Sequence, residues 1–319
     1  MKTRWWLLIL VLIHVGSGSA AGQELSIAML LWRGETAAEA GFKEGLEELG
    51  YQASFEIFDS AQDLSKLGAI LRSINNNLEA YDYIYTFGTT VSRRAQVVIG
   101  GQIPQIFNIV TDPVAAGIVE RLDSPGSSIS GGTDKIGLDQ QLDEVNQWLT
   151  FKKLGLFFNP REKNSLIIRD ELHRYGRERG FEVIDFRSPP VDQMLSKHLE
   201  ALNKNPGSVD AVYLAPDSYL SSEAPLIGAQ LRQARIISIS QIRSLIEHGV
   251  LMGVAGDYYD LGKSVATIVD RHQKGTPLEN IPVERFSNFK LLINQATADL
   301  LRLSLDTSSS DNVELVNNK

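Results

Sequence analysis

Short apolar runs alternate along this chain with longer stretches whose apolar residues recur at helical spacing. Residues 81–87 form one such run and predict a buried strand, and the amphipathic stretch 91–99 after it predicts a helix. A second apolar run, residues 105–110, follows and stops at Thr111 and Asp112. Strands that alternate with helices in this way indicate crossover units and a parallel sheet.

The same alternation runs through both halves of the chain. In each half a strand is followed by an amphipathic helix that closes on a glycine, Gly50 in the first half and Gly180 in the second. We therefore predict an α/β protein made of two similar doubly wound parallel-sheet lobes. The other predicted elements are strands 26–32, 54–58, 154–158, 183–186, 209–214 and 236–239, and helices 35–49, 64–78, 165–180, 194–202 and 226–232.

Matching residues recur at a nearly constant offset between the halves, which indicates an internal duplication. Gly50 and Gly180 are 130 residues apart, and Asp82 and Asp210 are 128 residues apart. Such an offset is typical of a repeated unit, although any two α/β halves share strand and helix spacing. Two lobes of one kind leave a cleft between their facing strand ends, and ligand sites favour such interfaces.

The elements after residue 255 do not extend either lobe in simple order. A helix at 261–273 is followed by two short strands and a last helix, so we expect the chain to cross between the lobes more than once. The predicted domains are lobe 1 at 23–132 plus about 256–283, lobe 2 at 133–255 plus about 284–305, and a polar tail at 306–319, of which we expect residues 307–312 to be disordered.

The first residues have the order of a secretory signal peptide, which we place at residues 1–22. Lys2 and Arg4 precede the apolar run 5–15, and small residues follow it at 16–22. The apolar run is too short to span the roughly 30 Å of a bilayer core, so an uncleaved anchor is the weaker alternative.

Composition disfavours several functional classes. The chain has a net charge of −8 and no basic runs, which disfavours nucleic-acid binding. It has no cysteine, and its five histidines lie apart, so we expect no metal and no cofactor. Neither a nucleophile elbow nor a phosphate-binding loop occurs, and we predict that the protein is not an enzyme.

Polar and aromatic side chains follow the predicted strands at their carboxyl ends, where the loops of a parallel sheet form a ligand crevice. Thr89 and Thr90 open a helix, whose N-terminus favours an anion such as a carboxylate. Arg33 suits the same group, and strand-end aspartates suit an ammonium group. A purely structural role as helix caps or turns is the alternative for several of these residues. The predicted ligand-binding residues are Trp32, Arg33, Thr89, Thr90, Asp112, Asn159, Asn164, Ser165, Asp217, Ser218, Ser240 and Asp257.

Six stretches of the chain resemble the ABC-transporter substrate-binding proteins of the group that includes aromatic amino-acid binders. They occur in the order expected for that family, cover nearly the whole chain after the signal sequence, and are specific only when taken together. The stretches are 41–51 (GFKEGLEELGY), 104–117 (PQIFNIVTDPVAAG), 122–131 (LDSPGSSISG), 154–160 (LGLFFNP) with Asn164 and Ser165, 256–262 (GDYYDLG) and 275–284 (GTPLENIPVE).

The resemblance implies a type I periplasmic binding fold, in which two α/β lobes joined by three crossings close over one ligand. It also implies delivery of that ligand to a membrane permease with an ATPase on the cytoplasmic side. By residue, the resemblance places the family's ligand sites on Thr89, Thr90, Asp112, Asn164, Ser165, Asp217 and Asp257.

The chain departs from the family pattern in two predicted contact loops. The first ligand loop, residues 31–35, is shorter than usual and carries Trp32 and Arg33. The usual Thr-Asp-Asn is replaced by residues 216–218, Pro-Asp-Ser. These changes leave the ligand open to differ from an aromatic amino acid.

We therefore predict a periplasmic, monomeric solute-binding protein that closes over a small polar or amino-acid-like ligand and delivers it to an ABC permease. The absence of a cysteine at the predicted cleavage site points to a free protein of a Gram-negative periplasm. A sensory binding protein that partners a histidine kinase has the same fold and cleft and is the first alternative. A periplasmic enzyme is the second.

Overall fold

Strands and helices alternate through the computed structural model, which describes residues 24–303, 305 and 312–319. The predicted signal peptide, residues 1–22, lies outside the described residues. None of the described helices is long and apolar enough to cross a membrane. The strands are β1 (Glu24–Leu31), β2 (Gln52–Asp59), β3 (Tyr83–Phe87), β4 (Gln105–Asn108), β5 (Ile129–Thr133), β6 (Lys153–Phe158), β7 (Glu182–Arg187), β8 (Ala211–Leu214), β9 (Ile237–Ser240), β10 (Met252–Gly256), β11 (Glu284–Arg285), β12 (Phe289–Asn294) and β13 (Val313–Val316). The helices are α1 (Ala37–Glu48), α2 (Leu64–Asn75), α3 (Gly88–Ile99), α4 (Leu138–Asn146), α5 (Lys163–Arg179), α6 (Met194–Lys204), α7 (Ser218–Ser222), α8 (Ala224–Gln233), α9 (Arg243–Glu247), α10 (Tyr258–Gln273) and α11 (Gln295–Leu301).

The strands form two sheets of matching order. The first runs β11-β5-β4-β3-β1-β2, and its pairings are parallel. The second runs β13-β12-β10-β9-β8-β6-β7, and its β10–β12 pairing is antiparallel. Strands β1 to β5 therefore hold the same places as β6 to β10. Strand β3 is buried along its whole length, as expected where helices cover both faces of a parallel sheet. The prediction of two doubly wound α/β lobes is confirmed.

Equivalent aspartates have the same structural role in the two lobes. Asp82 Oδ2 accepts a hydrogen bond from the Ser26 backbone N–H at 2.8 Å, near the start of β1. Asp210 Oδ2 accepts hydrogen bonds from the backbone N–H groups of Lys152 and Lys153 at 2.7 and 2.8 Å, at the start of β6. Each carboxylate fixes the first strand of its lobe, and this shared contact supports an internal duplication.

Within the described residues the chain crosses between the lobes after β5, after β10 and after β11. The third crossing lies slightly later than the sequence predicts. Glu284 and Arg285 pair with Gly132 and Thr133 of β5, so the first lobe extends to Arg285 instead of ending at about residue 283. The second crossing follows Gly256, the last residue of β10.

The prediction of a polar tail at residues 306–319 needs correction at its end, while the stretch predicted to be disordered, 307–312, lies outside the described residues except for Asn312. Val313–Val316 form β13, which pairs in parallel with β12 at the edge of the second sheet. Val316 is 8% exposed and packs in the core of that lobe, and Lys319 forms an ion pair with Glu247 of α9. A short apolar run at a free sheet edge forms a strand, and the polar residues before it concealed that signal.

Helices α1 and α10 approach so closely that their contact requires glycine. A Cβ atom on Gly41 would lie 2.0 Å from the Tyr259 carbonyl oxygen, and one on Gly262 would lie 2.1 Å from the Ala38 carbonyl oxygen. Both distances are far below van der Waals contact, and both neighbours are backbone atoms. This packing fixes α10, and with it the crossing after β10, against the first lobe.

We predict that Gly41→Ala destabilises the protein because the added methyl group forces α1 and α10 apart. Overpacking of this kind costs roughly 1–3 kcal/mol, and thermal unfolding measures it as a lower Tm. The matched control is Gly68→Ala in α2, where a Cβ atom would meet only the Arg72 side chain at 3.6 Å. That change should stabilise the protein by roughly 0.4–1 kcal/mol, because alanine lowers the conformational entropy of the unfolded chain. Equal effects of the two substitutions would contradict the close approach.

Candidate functional site

A cavity lies between the two lobes at the carboxyl ends of their strands. Its walls come from both lobes, a position that ligand sites favour. The first lobe contributes Trp32, Arg33, Phe87, Gly88, Thr89, Thr90, Ile109, Thr111, Asp134 and Tyr258. The second lobe contributes Glu162, Asn164, Pro216, Asp217 and Ser218.

The N-terminus of α3 lines the cavity without a side-chain cap. Its N-cap residue is Phe87, and no side chain accepts a hydrogen bond there from the first turn. Gly88 has a φ of +80°, a left-handed conformation that suits glycine and turns the chain from β3 into the helix. Thr89 is 4% exposed, and its hydroxyl oxygen has no hydrogen-bond partner. This wall offers hydrogen-bond donors at the positive end of a helix dipole, an arrangement that binds anions.

Arg33 and Trp32 extend the same wall from the end of β1. The Arg33 guanidinium carbon lies 5.7 Å from the centroid of the Phe87 ring, a cation–π contact. Nε of Arg33 has no hydrogen-bond partner, and the indole N–H of Trp32 lies beside the Glu162 carboxyl group, whose pKa it lowers. Because buried donors in folded proteins are nearly always paired, Nε of Arg33 marks a group available to a ligand.

Asp134 is a buried carboxyl group that directly follows β5 in the first lobe. Its Oδ2 accepts a hydrogen bond from the Tyr258 hydroxyl at 3.2 Å, and its Oδ1 has no hydrogen-bond partner. Burial raises the pKa of Asp134 to about 6, although Thr111, Tyr258 and the charge of Arg33 act in the opposite direction. A buried carboxylate with an unpartnered oxygen is a strong acceptor for an ammonium group.

Asp217 is a second buried carboxyl group, on the wall of the second lobe. It accepts hydrogen bonds from the Leu220 N–H at 2.7 Å, the Ser165 hydroxyl at 2.9 Å and the Asn159 N–H at 3.1 Å. Burial, together with the charge of neighbouring Glu162, raises the pKa of Asp217 to about 8. Asp217 is therefore both the cap of α7 and a part of the cavity wall.

Glu162 completes the acidic wall of the second lobe. Its two carboxylate oxygens accept hydrogen bonds from the Ser218 backbone N–H at 3.2 and 3.1 Å. Burial raises the pKa of Glu162, while the Ser218 N–H and the charge of Arg33 lower it. Among the residues that the structure describes, no cluster of three or more His, Asp or Glu side chains is arranged to hold a metal ion.

The structure places the predicted ligand-binding residues in two sets. One set lines the cavity: Trp32, Arg33, Thr89, Thr90, Asn164, Asp217 and Ser218. The other set lies outside the cavity lining and departs from the prediction: Asp112, Asn159, Ser165, Ser240 and Asp257.

Three residues of the second set support the cavity wall from behind. Asn159 and Ser165 donate hydrogen bonds to Asp217, and thereby hold its carboxylate in place. Ser240 is fully buried, and its hydroxyl donates to the Leu214 carbonyl oxygen at 3.2 Å. These side chains are consumed by contacts within the second lobe, which the sequence pattern does not reveal.

The other two residues of that set serve the junction between the lobes. Asp257 caps α10 through the Tyr259 N–H at 2.8 Å and is exposed. Asp112, in the loop after β4, forms an ion pair with Lys135. Lys135 Nζ also lies 3.1 Å from Glu171 on α5, so the lysine bridges the first lobe to the second.

Asp134 and Glu162 were missed from the sequence, for different reasons. Asp134 satisfies the rule that found the other residues, because it directly follows a strand. That strand, Ile129–Thr133, was not recognised because two of its five residues are glycine. Glu162 precedes α5, where a charged residue usually faces water.

Comparison of the sequence with known proteins gives matches over most of the chain. Residues 28–313 match the family described as ABC transporter substrate binding protein. The chain is 29% identical over 287 residues to a tyrosine-binding protein of Clostridioides difficile (strain R20291), and the match covers 88% of this chain and 80% of that protein.

Solved structures share the two-lobed fold. A domain of Streptococcus pneumoniae in complex with L-Trp is 24% identical, with a TM-score of 0.79 over 91% of this chain and 99% of that one. A conserved domain protein of Vibrio cholerae is 21% identical, with a TM-score of 0.81 over 92% of this chain and 99% of that one.

We predict that Asp134→Asn stabilises the ligand-free protein at alkaline pH. The pKa of Asp134 is about 6 when folded and 3.8 in the reference state, so the folded protein favours the protonated carboxyl group. As pH rises through 6 this group ionises, and the buried charge lowers the free energy of unfolding. Asparagine keeps an acceptor for Tyr258 and carries no buried charge. The free energy of unfolding of the variant should exceed that of the wild type by up to roughly 3 kcal/mol at pH 8, and the two should be equal below pH 4, as measured by chemical unfolding.

The matched control is Asp260→Asn, an exposed aspartate on α10. The difference in free energy of unfolding between this variant and the wild type should stay constant between pH 4 and pH 8. A pH-independent difference for Asp134→Asn would show that burial does not destabilise the charge of Asp134.

Proposed function

The chain belongs to the family of ABC transporter substrate-binding proteins, and on that premise we propose that it is an extracytoplasmic amino-acid-binding protein. Its two lobes close over a small amino-acid-like solute, which it delivers to an ABC permease. The predicted signal peptide at residues 1–22 supports a periplasmic location.

The proposal rests on one observation: the same cavity has donors for a negatively charged group and an acceptor for a positively charged group. Arg33 and the uncapped start of α3, with Thr89, offer donors to a carboxylate. Asp134 offers an unpartnered carboxylate oxygen to an ammonium group. An α-amino acid carries both groups and satisfies these donors and this acceptor together. The relatives named for tyrosine and L-Trp lend further support to an amino-acid ligand.

A thermal-shift screen of the mature protein, refolded free of carried-over ligand, tests the proposal. Each L-amino acid is compared with its amine, which lacks the carboxylate, and its carboxylic acid, which lacks the ammonium group. A ligand at 100 times its Kd should stabilise by about 2.7 kcal/mol, and only compounds with both groups should do so. Stabilisation by polyols or nucleosides, and by no amino acid, would contradict the proposal.

Arg33→Gln sharpens this test because it removes the guanidinium and keeps a polar side chain of similar length. We predict an affinity loss of at least about tenfold for the amino acid that binds best, since a charge-assisted contact is lost. The matched control, Arg121→Gln, alters an exposed arginine paired with Asp123 and should leave the affinity unchanged.

A sensory protein that partners a histidine kinase is the second candidate, because it would use the same cleft. Genes for a permease and an ATPase beside this gene favour transport, and a kinase gene favours sensing. An enzyme would convert its ligand, whereas a binding protein returns it unchanged, so recovery of intact amino acid separates these two classes.

A further inference from the structure

The walls of the cavity carry more negative charge than positive charge. Asp134, Glu162 and Asp217 are 3%, 4% and 3% exposed, and they face a single guanidinium, that of Arg33. The lining residues that the structure describes include no lysine and no histidine. Arg33 acts on carboxyl groups of both lobes, because its charge lowers the pKa of Asp134 and of Glu162. Because the pKa of Asp217 is raised to about 8 beside Glu162, these two acids together carry about one negative charge near pH 7. Arg33 therefore faces two negative charges, that one and the charge of Asp134.

The three acids differ in what they offer a ligand. Asp217 and Glu162 are held by backbone N–H groups, those of Leu220 and Ser218 among them. Asp134 keeps one oxygen without any donor. The α-ammonium group of the ligand would therefore contact Asp134 directly, as in the proposed function, while Glu162 and Asp217 add to the negative potential of the cavity.

Aromatic rings in the same walls also suit a cation. Trp32, Phe87 and Tyr258 line the cavity, and Arg33 already lies over the Phe87 ring at 5.7 Å. A guanidinium thus fits against this wall in the folded protein. Aromatic faces attract cations more strongly where water is excluded.

We propose that the ligand carries a net positive charge and is an amino acid with a cationic side chain. This inference rests on the proposed function and departs from the neutral aromatic amino acids for which relatives are named. A neutral amino acid brings one positive and one negative charge, so it leaves the excess negative charge of the walls unbalanced. A basic amino acid brings a further positive charge and reduces that excess.

Two matched pairs test this selectivity by titration calorimetry. L-arginine and L-citrulline differ in a guanidinium against a neutral urea, and L-norleucine has the butyl chain of L-lysine without its terminal ammonium group. We expect the cationic member of at least one pair to bind about 100-fold more tightly than its partner. Equal affinities in both pairs, or tighter binding of L-tyrosine than of either basic amino acid, would overturn the inference and leave the proposed function intact. Binding of no amino acid at all would overturn both.

Asp134→Asn tests the charge argument, because it removes one of the two negative charges that face Arg33. The preference for L-arginine over L-citrulline should fall below about tenfold in this variant, because the additional positive charge of L-arginine then offsets less negative charge. Asp260→Asn, exposed on α10, should keep the full preference. Thermal unfolding confirms that both variants are folded. An unchanged preference in Asp134→Asn would contradict selection by the negative charge of the walls.

Discussion

Burial of polar groups without partners in the cleft is the constraint on which the rest of this structure depends. Asp134 Oδ1, Arg33 Nε and the Thr89 hydroxyl all lie in the cavity without a hydrogen bond. A buried group in this condition costs roughly 1–3 kcal/mol, and ligand contact removes that cost. Ligand binding is therefore coupled to stability through these few atoms.

The fold supplies this arrangement by placing the carboxyl ends of two parallel sheets opposite each other. Asp82 and Asp210 anchor the first strand of each lobe in the same way, so the two walls are built on one plan. The walls nevertheless differ in chemistry. The first lobe presents a helix N-terminus, an arginine and the buried Asp134, and the second presents the buried acids Glu162 and Asp217. The bridge from Lys135 to Glu171 adds a polar contact between the lobes outside the cavity.

Periodicity alone predicted the alternating elements and the two lobes, because long helices and buried parallel strands have distinct apolar spacing. The rule that ligands bind at strand ends identified Arg33, Thr89 and Asp217 correctly as residues of the cavity wall. The rule fails to say which side of a loop faces the cleft. The Asp112 side chain forms an ion pair with Lys135 and does not line the cavity, and such a tertiary contact cannot be predicted from the apolar pattern. Strand β5 and its neighbour Asp134 escaped notice because glycines interrupt the apolar pattern.

Proton exchange on ligand binding tests the central claim most directly. Asp134 has a pKa of about 6, and contact with a cationic nitrogen lowers that pKa, so binding at pH 6 must release protons. Calorimetric titration with the best-binding amino acid, in buffers of different ionisation enthalpy, measures the number of protons released per ligand bound. We predict release of about half a proton from Asp134 at pH 6, absent from Asp134→Asn. The same release from both proteins, or none from the wild type, would contradict contact between the ligand and Asp134.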